Sequence, residues 1–198
     1  EDADLIYNGI VYSEMKGAFS SPEQVLYRMG MHALYPDTAY GVESGGDPDV
    51  IPELTYENYL DFHRRYYHPS NSYISLSGDM DMEEKLTWLD ETYLSKFDYL
   101  EIDSKIKLQA PFDSVKEIEM TYSITNSEPE EDNTYLSYNK VVGTSLDKEL
   151  TLAFEILDYA LLSAPGAPLK KALVDAGIGK DIMGSYDDGI YQPIFGVV

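Results

Sequence analysis

One carboxylate stands where metal chemistry could use it. Glu14, in GIVYSEMKGAFSSPEQVLYRMG (residues 9–30), lies between an apolar run and the start of a new helix at Ser21-Pro22. A carboxylate in such a place can ligate a divalent cation or serve as an ordinary surface acid. Asp79, Asp81 and Glu83 in SGDMDMEE alternate like the opening of a calcium loop. The glycine needed at the sixth position and the closing bidentate Glu are missing, however, and acids at a helix start stabilise the helix dipole without any metal. SGGDP (residues 44–48) could cradle an anion, but it lacks the Lys-Ser/Thr of a phosphate-binding loop and reads as a turn. His32, His63 and His68 are spaced so that no two share a helical face at i, i+4, and each reads as a packed or capping residue. Neither LSGDM nor MGSYDDG has the G-x-S-x-G pattern of a serine nucleophile. With no cysteine, thiolate metal sites, cysteine nucleophiles and disulfides are excluded.

The elements that must position these groups follow from periodicity and caps. Residues 3–16 favour a helix carrying Ile6, Ile10 and Glu14, although GIVY alone would suit a strand. Ser21 as cap and Pro22 at the first helical position start a second helix, which Pro36 ends. Thr55 with Asn58 three residues on starts a third, over about 56–67. SYISLSGD alternates as a strand, and Asp79 or Asp81 caps the helix of MEEKLTWLDETYLSKF. Residues 98–114 show no period and read as a linker. VKEIEMTYSI and TYLSYNKVV, separated by the acidic TNSEPEEDN, predict a hairpin. SLDKELTLAFEILDYALLS predicts a long helix, GAPLKKALVDAG a short one ending at Gly177, and the tail two antiparallel strands. The fold class expected is α+β, with mixed or antiparallel sheets and helices packed on one side.

Composition narrows the partners. At 43% hydrophobic and 25% charged residues the chain is apolar enough to fold. Fourteen basic against 36 acidic residues give a net charge of −22, which repels phosphate backbones and anionic lipid and suits a basic or amphipathic polypeptide. No run approaches 18 consecutive apolar residues and no basic-then-apolar leader opens the chain, so a membrane is not expected and a cytoplasmic setting is favoured. Residue 1 is not Met and the chain stops in the apolar YQPIFGVV, which suggests a piece of a longer polypeptide.

Three stretches taken together, GIVYSEMKGAFSSPEQVL, YPDTAYGVESGGDPDVIPELTYENYLDFHRRYYHPSNSYISLSGDMD and LLSAPGAPLKKALVDAGIGKDI, resemble the pitrilysin/insulinase superfamily of zinc metallopeptidases. The resemblance is to its presequence-protease, falcilysin-like branch. It implies a zinc endopeptidase that degrades short unfolded peptides in an enclosed chamber. An H-x-x-E-H motif would supply two His ligands and a Glu base, and a later Glu would complete the site. It puts that third ligand at Glu14. It further implies that residues 1–104 form the C-terminal half of a first metallopeptidase-type domain and residues 105–198 the N-terminal half of a second, homologous one. No H-x-x-E-H occurs in these residues, and the substrate-contacting Arg and Tyr of the family are absent too, so this chain alone is expected to be inactive. The partners implied are a peptide substrate and the remaining halves of the parent polypeptide. A non-catalytic scaffold homologue and an acidic peptide-binding module are the competing readings.

Overall fold

The computed structural model describes residues 5–198. Six α-helices and three short strands follow in the order α1 (Ile10–Ala18), α2 (Pro22–Leu34), α3 (Tyr56–Tyr66), α4 (Met82–Thr92), β1 (Tyr138–Val141), α5 (Lys148–Asp158), α6 (Pro168–Asp175), β2 (Gly184–Asp187) and β3 (Ile194–Val197). The strands form one antiparallel sheet in the order β1-β3-β2, so β3, the last element, is central. Val141 and Asp187 both pair with Ile194, and Tyr138 and Gly184 with Val197. The α+β class holds.

Most helix starts obey their local signals. The Ser21 side chain accepts from Gln24 N–H, and Asp81 accepts from Glu84 N–H, so the acid at 81 is a cap. Thr55 and Asn58 exchange reciprocal bonds of 3.2 and 3.3 Å in a capping box. Thr55→Ala should therefore cost about 1 kcal/mol. Urea unfolding followed by the fluorescence of Trp88, the only tryptophan, checks this, since α3 and α4 lie in one unit. At the far end of α6, Gly177 takes a left-handed φ of 70° that closes the helix, as the sequence predicts.

Three expectations fail. The first helix begins at Ile10 because Gly9 is extended; residues 3 and 4 of the expected helix lie outside the described residues. SYISLSGD is not a strand: Tyr73 is fully exposed, and among the described residues no strand offers the ladder partner that an isolated extended segment needs. The expected hairpin of 115–124 with 134–142 does not form. Only Tyr138–Val141 is a strand, and it pairs with β3, a tie extended by Val142 N–H to the Pro193 carbonyl and Ser145 N–H to that of Tyr191. Tyr122 still reaches back across the acidic loop to donate to the Asn133 carbonyl.

By internal contacts the described residues form two units, one of Val50–Lys105 and the other of the segments to either side, up to Asp49 and from Ile106 to Val198. The second unit holds the sheet. On one face Phe154 of α5 packs against Tyr186 and Phe195. On the other, Ile194 meets Met31 and Tyr35 at the end of α2, so this small sheet carries helix on both faces. After α5 a π-helical turn, Tyr159–Ser163, drives Leu162 to 1% exposure. Gly184 makes room for it, since a Cβ there would lie 2.8 Å from that of Leu162. The run Lys148–Asp175 has the length and apolar content to cross a membrane, but Ala164–Ala167 leave the helix. Each helical piece is then short of the ~20 residues a crossing needs.

Candidate metal centre

Helix α1 presents Glu14 to solvent, and its carboxylate makes no hydrogen bond or ion pair with any of the described residues. The helix has nine residues, no side-chain cap and no buried residue. A helix this short is marginal by itself, so contacts from outside must hold it. Besides Tyr7, whose ring centre lies 6.0 Å from that of Tyr12, they come from two places. The Met15 side chain lies over Gly45, in the turn that the sequence presents as SGGDP. Phe19, the residue that caps α1 at its C-terminus, lies under the Arg28 guanidinium, 4.5 Å from its carbon to the ring centre. Arg28 also forms an ion pair with Asp47 of the same turn. The other oxygen of Asp47 accepts from Asp49 N–H at 2.9 Å.

Helix α2 is in turn fastened to the sheet. Tyr27 donates to Asp187 at 3.2 Å, and burial, with the nearby Asp187 charge, raises its phenol pKa. The Tyr35 hydroxyl donates to the Gln192 carbonyl at 2.5 Å, and Tyr191 N–H donates to the Tyr40 hydroxyl at 3.0 Å. Gln109, 6% exposed, clasps both sides: its side chain exchanges bonds with Asp37, and its backbone exchanges bonds with the Gln192 amide. Residues 98–114 are irregular as expected, but Gln109 shows that they are not merely a linker. Its signal in sequence is nil, because one glutamine in an aperiodic stretch has no pattern to betray burial.

The remaining candidates separate. His32 Nδ1 lies 3.0 Å from the Gly41 carbonyl oxygen, His63 stacks on Tyr67, and His68 accepts from Ser70 N–H while meeting Phe97 edge-on. Asp79, Asp81 and Glu83 converge on nothing, and among the described residues no three His, Asp or Glu side chains are grouped to hold a metal ion. Glu14 is a single exposed oxygen donor on a short helix, a type of side chain that can serve as one vertex of a zinc site.

The family model for the M16 peptidase inactive domain matches residues 53–198. The chain belongs to the M16 peptidase family. Within it, the relatives place the chain in the presequence-protease branch. It is 52% identical over 198 residues to Protein HypA of Clostridium perfringens, covering 100% of this chain and 20% of that protein. It is 38% identical over 198 residues to Presequence protease 1, chloroplastic/mitochondrial, of Arabidopsis thaliana, covering 98% of this chain and 18% of the relative. With the mitochondrial presequence protease of Mus musculus it shares 37% over 183 residues, 89% of this chain and 17% of the relative. The chain thus spans about a fifth of the length of these M16 relatives. An M16-like peptidase from Alicyclobacillus acidocaldarius has the same fold, with a TM-score of 0.54 at 19% identity over 94% of this chain and 44% of that one. Glu14 precedes the stretch matched by the M16 inactive-domain model and lies within the aligned length of the HypA relative.

Proposed function

We propose that this chain is part of a zinc metalloendopeptidase that degrades short unfolded peptides in an enclosed chamber, with Glu14 as one zinc ligand. In this reading residues 1–104 and 105–198 are halves of two homologous domains, and the other ligands and the general base come from the rest of the polypeptide. Bound zinc supplies a Lewis acid that polarises a peptide carbonyl and lowers the pKa of a water. Glu14 contributes one negative charge, which with two neutral imidazoles leaves the metal partly positive. The remainder of the chain supplies wall and scaffold, and its charge of −22 draws in basic, presequence-like peptides. What carries this reading is the 38% identity to a presequence protease over 98% of the chain.

A full-length polypeptide purified with its metal should cleave a short basic fluorogenic peptide, lose that activity to a chelator, regain it with zinc and leave a folded protein intact. The isolated 198 residues should cleave nothing and bind zinc weakly. Cleavage indifferent to chelation would refute the proposal, and tight stoichiometric zinc binding by the isolated chain would overturn the expectation that the other ligands come from the rest of the polypeptide. A second reading, a non-catalytic homologue, has its own support, since the matched family model describes an inactive domain. Full-length protein that binds the peptide but never cleaves it would favour that reading.

A further inference from the structure

We propose that Arg28 is a positioning residue for Glu14, acting through Phe19 and Asp47; this rests on the zinc-ligand reading of Glu14. Helix α1 has no cap and no buried side chain of its own, so the direction of the Glu14 carboxylate depends on what grips the helix. Besides Tyr12 against the ring of Tyr7, two contacts hold it. Met15, the residue after Glu14, lies over Gly45, and Phe19 lies under the Arg28 guanidinium. Arg28 joins them, because its ion pair with Asp47 holds the turn on which Met15 rests. The two side chains are 27% and 28% exposed, well short of the solvation that makes surface pairs weak. Asp49 N–H occupies the second oxygen of Asp47 and fixes the turn. The planar guanidinium is needed to face an aromatic ring and a carboxylate at once, a geometry that lysine lacks.

Helix α2 does not need this bracket. Ser21 caps it, and Tyr27 at mid-helix and Tyr35 at its C-terminus tie it to Asp187 and to the Gln192 carbonyl. Loss of the Arg28 head group should therefore loosen α1 and leave α2 in place. Groups that hydrogen-bond a metal ligand directly change metal affinity by about 10- to 100-fold when removed, and Arg28, which reaches Glu14 only through Phe19 and Asp47, should fall at the low end of that range.

The test uses full-length polypeptide and measures zinc affinity by chelator competition, beside kcat and KM. Arg28→Met keeps the apolar stem and should weaken zinc binding by about tenfold or more and lower kcat with little change in KM. Asp47→Asn should weaken it in the same direction, and Arg28→Lys should restore only part of the loss. Combined with Glu14→Gln, Arg28→Met should add nothing further. Thr55→Ala is the control for general destabilisation and should leave zinc affinity at the parental value. If Arg28→Met and Asp47→Asn fold and keep parental zinc affinity while Glu14→Gln loses it, Arg28 does not position Glu14 and the ligand reading stands. If Glu14→Gln itself keeps parental affinity, the ligand reading has failed and the Arg28 proposal falls with it. A loss in Arg28→Met matched by Thr55→Ala would also overturn it, since the effect would then be global.

Discussion

Glu14→Gln in the full-length polypeptide should lower zinc affinity on the order of 100-fold or more and reduce turnover with it. The substitution keeps the size and most of the hydrogen-bonding capacity of the side chain. What it removes is the charge that, in the proposed reading, would hold a divalent cation, and a neutral amide is a poor zinc ligand. Since the carboxylate has no partner among the described residues, no ion pair is broken and stability should hardly change. Glu23→Gln is the matched control. Glu23 is an exposed acid in the first turn of α2, where favouring the helix N-terminus is worth about 0.3–1 kcal/mol and concerns no metal. Elemental analysis and a fluorogenic peptide assay on both variants separate the cases. Retention of zinc and rate by Glu14→Gln would refute the ligand assignment, and loss of activity in a folded Glu23→Gln protein would point to general electrostatics of this acidic chain.

The largest effect on stability should come from Tyr35→Ala. Tyr35 is 0% exposed, packs with Met31 and Ile194, and meets Tyr40 edge-on with centroids 5.8 Å apart. Removing a buried aromatic ring costs about 3–5 kcal/mol. Tyr35→Phe keeps the ring and deprives the Gln192 carbonyl of its donor, for about 1–3 kcal/mol. Urea unfolding with hydrogen exchange of the β1 and β3 amides measures both. The pH dependence has a definite sign. Burial raises the Tyr35 phenol pKa well above its ordinary value of 10, so the native state favours the neutral form. That contribution is complete below pH about 10 and is lost as pH rises from there toward the raised native value. Tyr35→Phe should therefore flatten the alkaline decline in stability. Tyr27, also raised, should keep part of it. An alkaline limb identical in the two proteins would show that Tyr35 is not the titrating group.

The helices were legible residue by residue. Ser21-Pro22, Thr55 with Asn58, Asp81 and Gly177 act over one turn of chain, and each does in space what its spacing predicts. Glu14 is a different case, since nothing within a turn of it announces a ligand, and it is the longer stretch GIVYSEMKGAFSSPEQVL, taken with two others, that resembles a metallopeptidase.

Strands were legible only where a partner existed. SYISLSGD alternates as well as YNKV does, but β1 finds β3 some fifty residues downstream, while 72–79 has no partner among the described residues. A ladder bond belongs to two segments, and alternation in one segment cannot reveal the other. For the same reason the tertiary structure alone decided what packs against α1 and what ties α2 to the sheet. Arg28, Asp47, Gly45 and Gln109 belong to a helix, a turn and an irregular stretch that carry no common pattern. Their contacts, from Arg28 to Asp47 and from Gln109 to Asp37 and Gln192, arise only when segments far apart in the chain are packed together. The sequence by itself determined local helix geometry, charge and family; packing decided which strands pair and what holds the Glu14 helix in place, because those energies depend on distances between residues that the order of the chain does not specify.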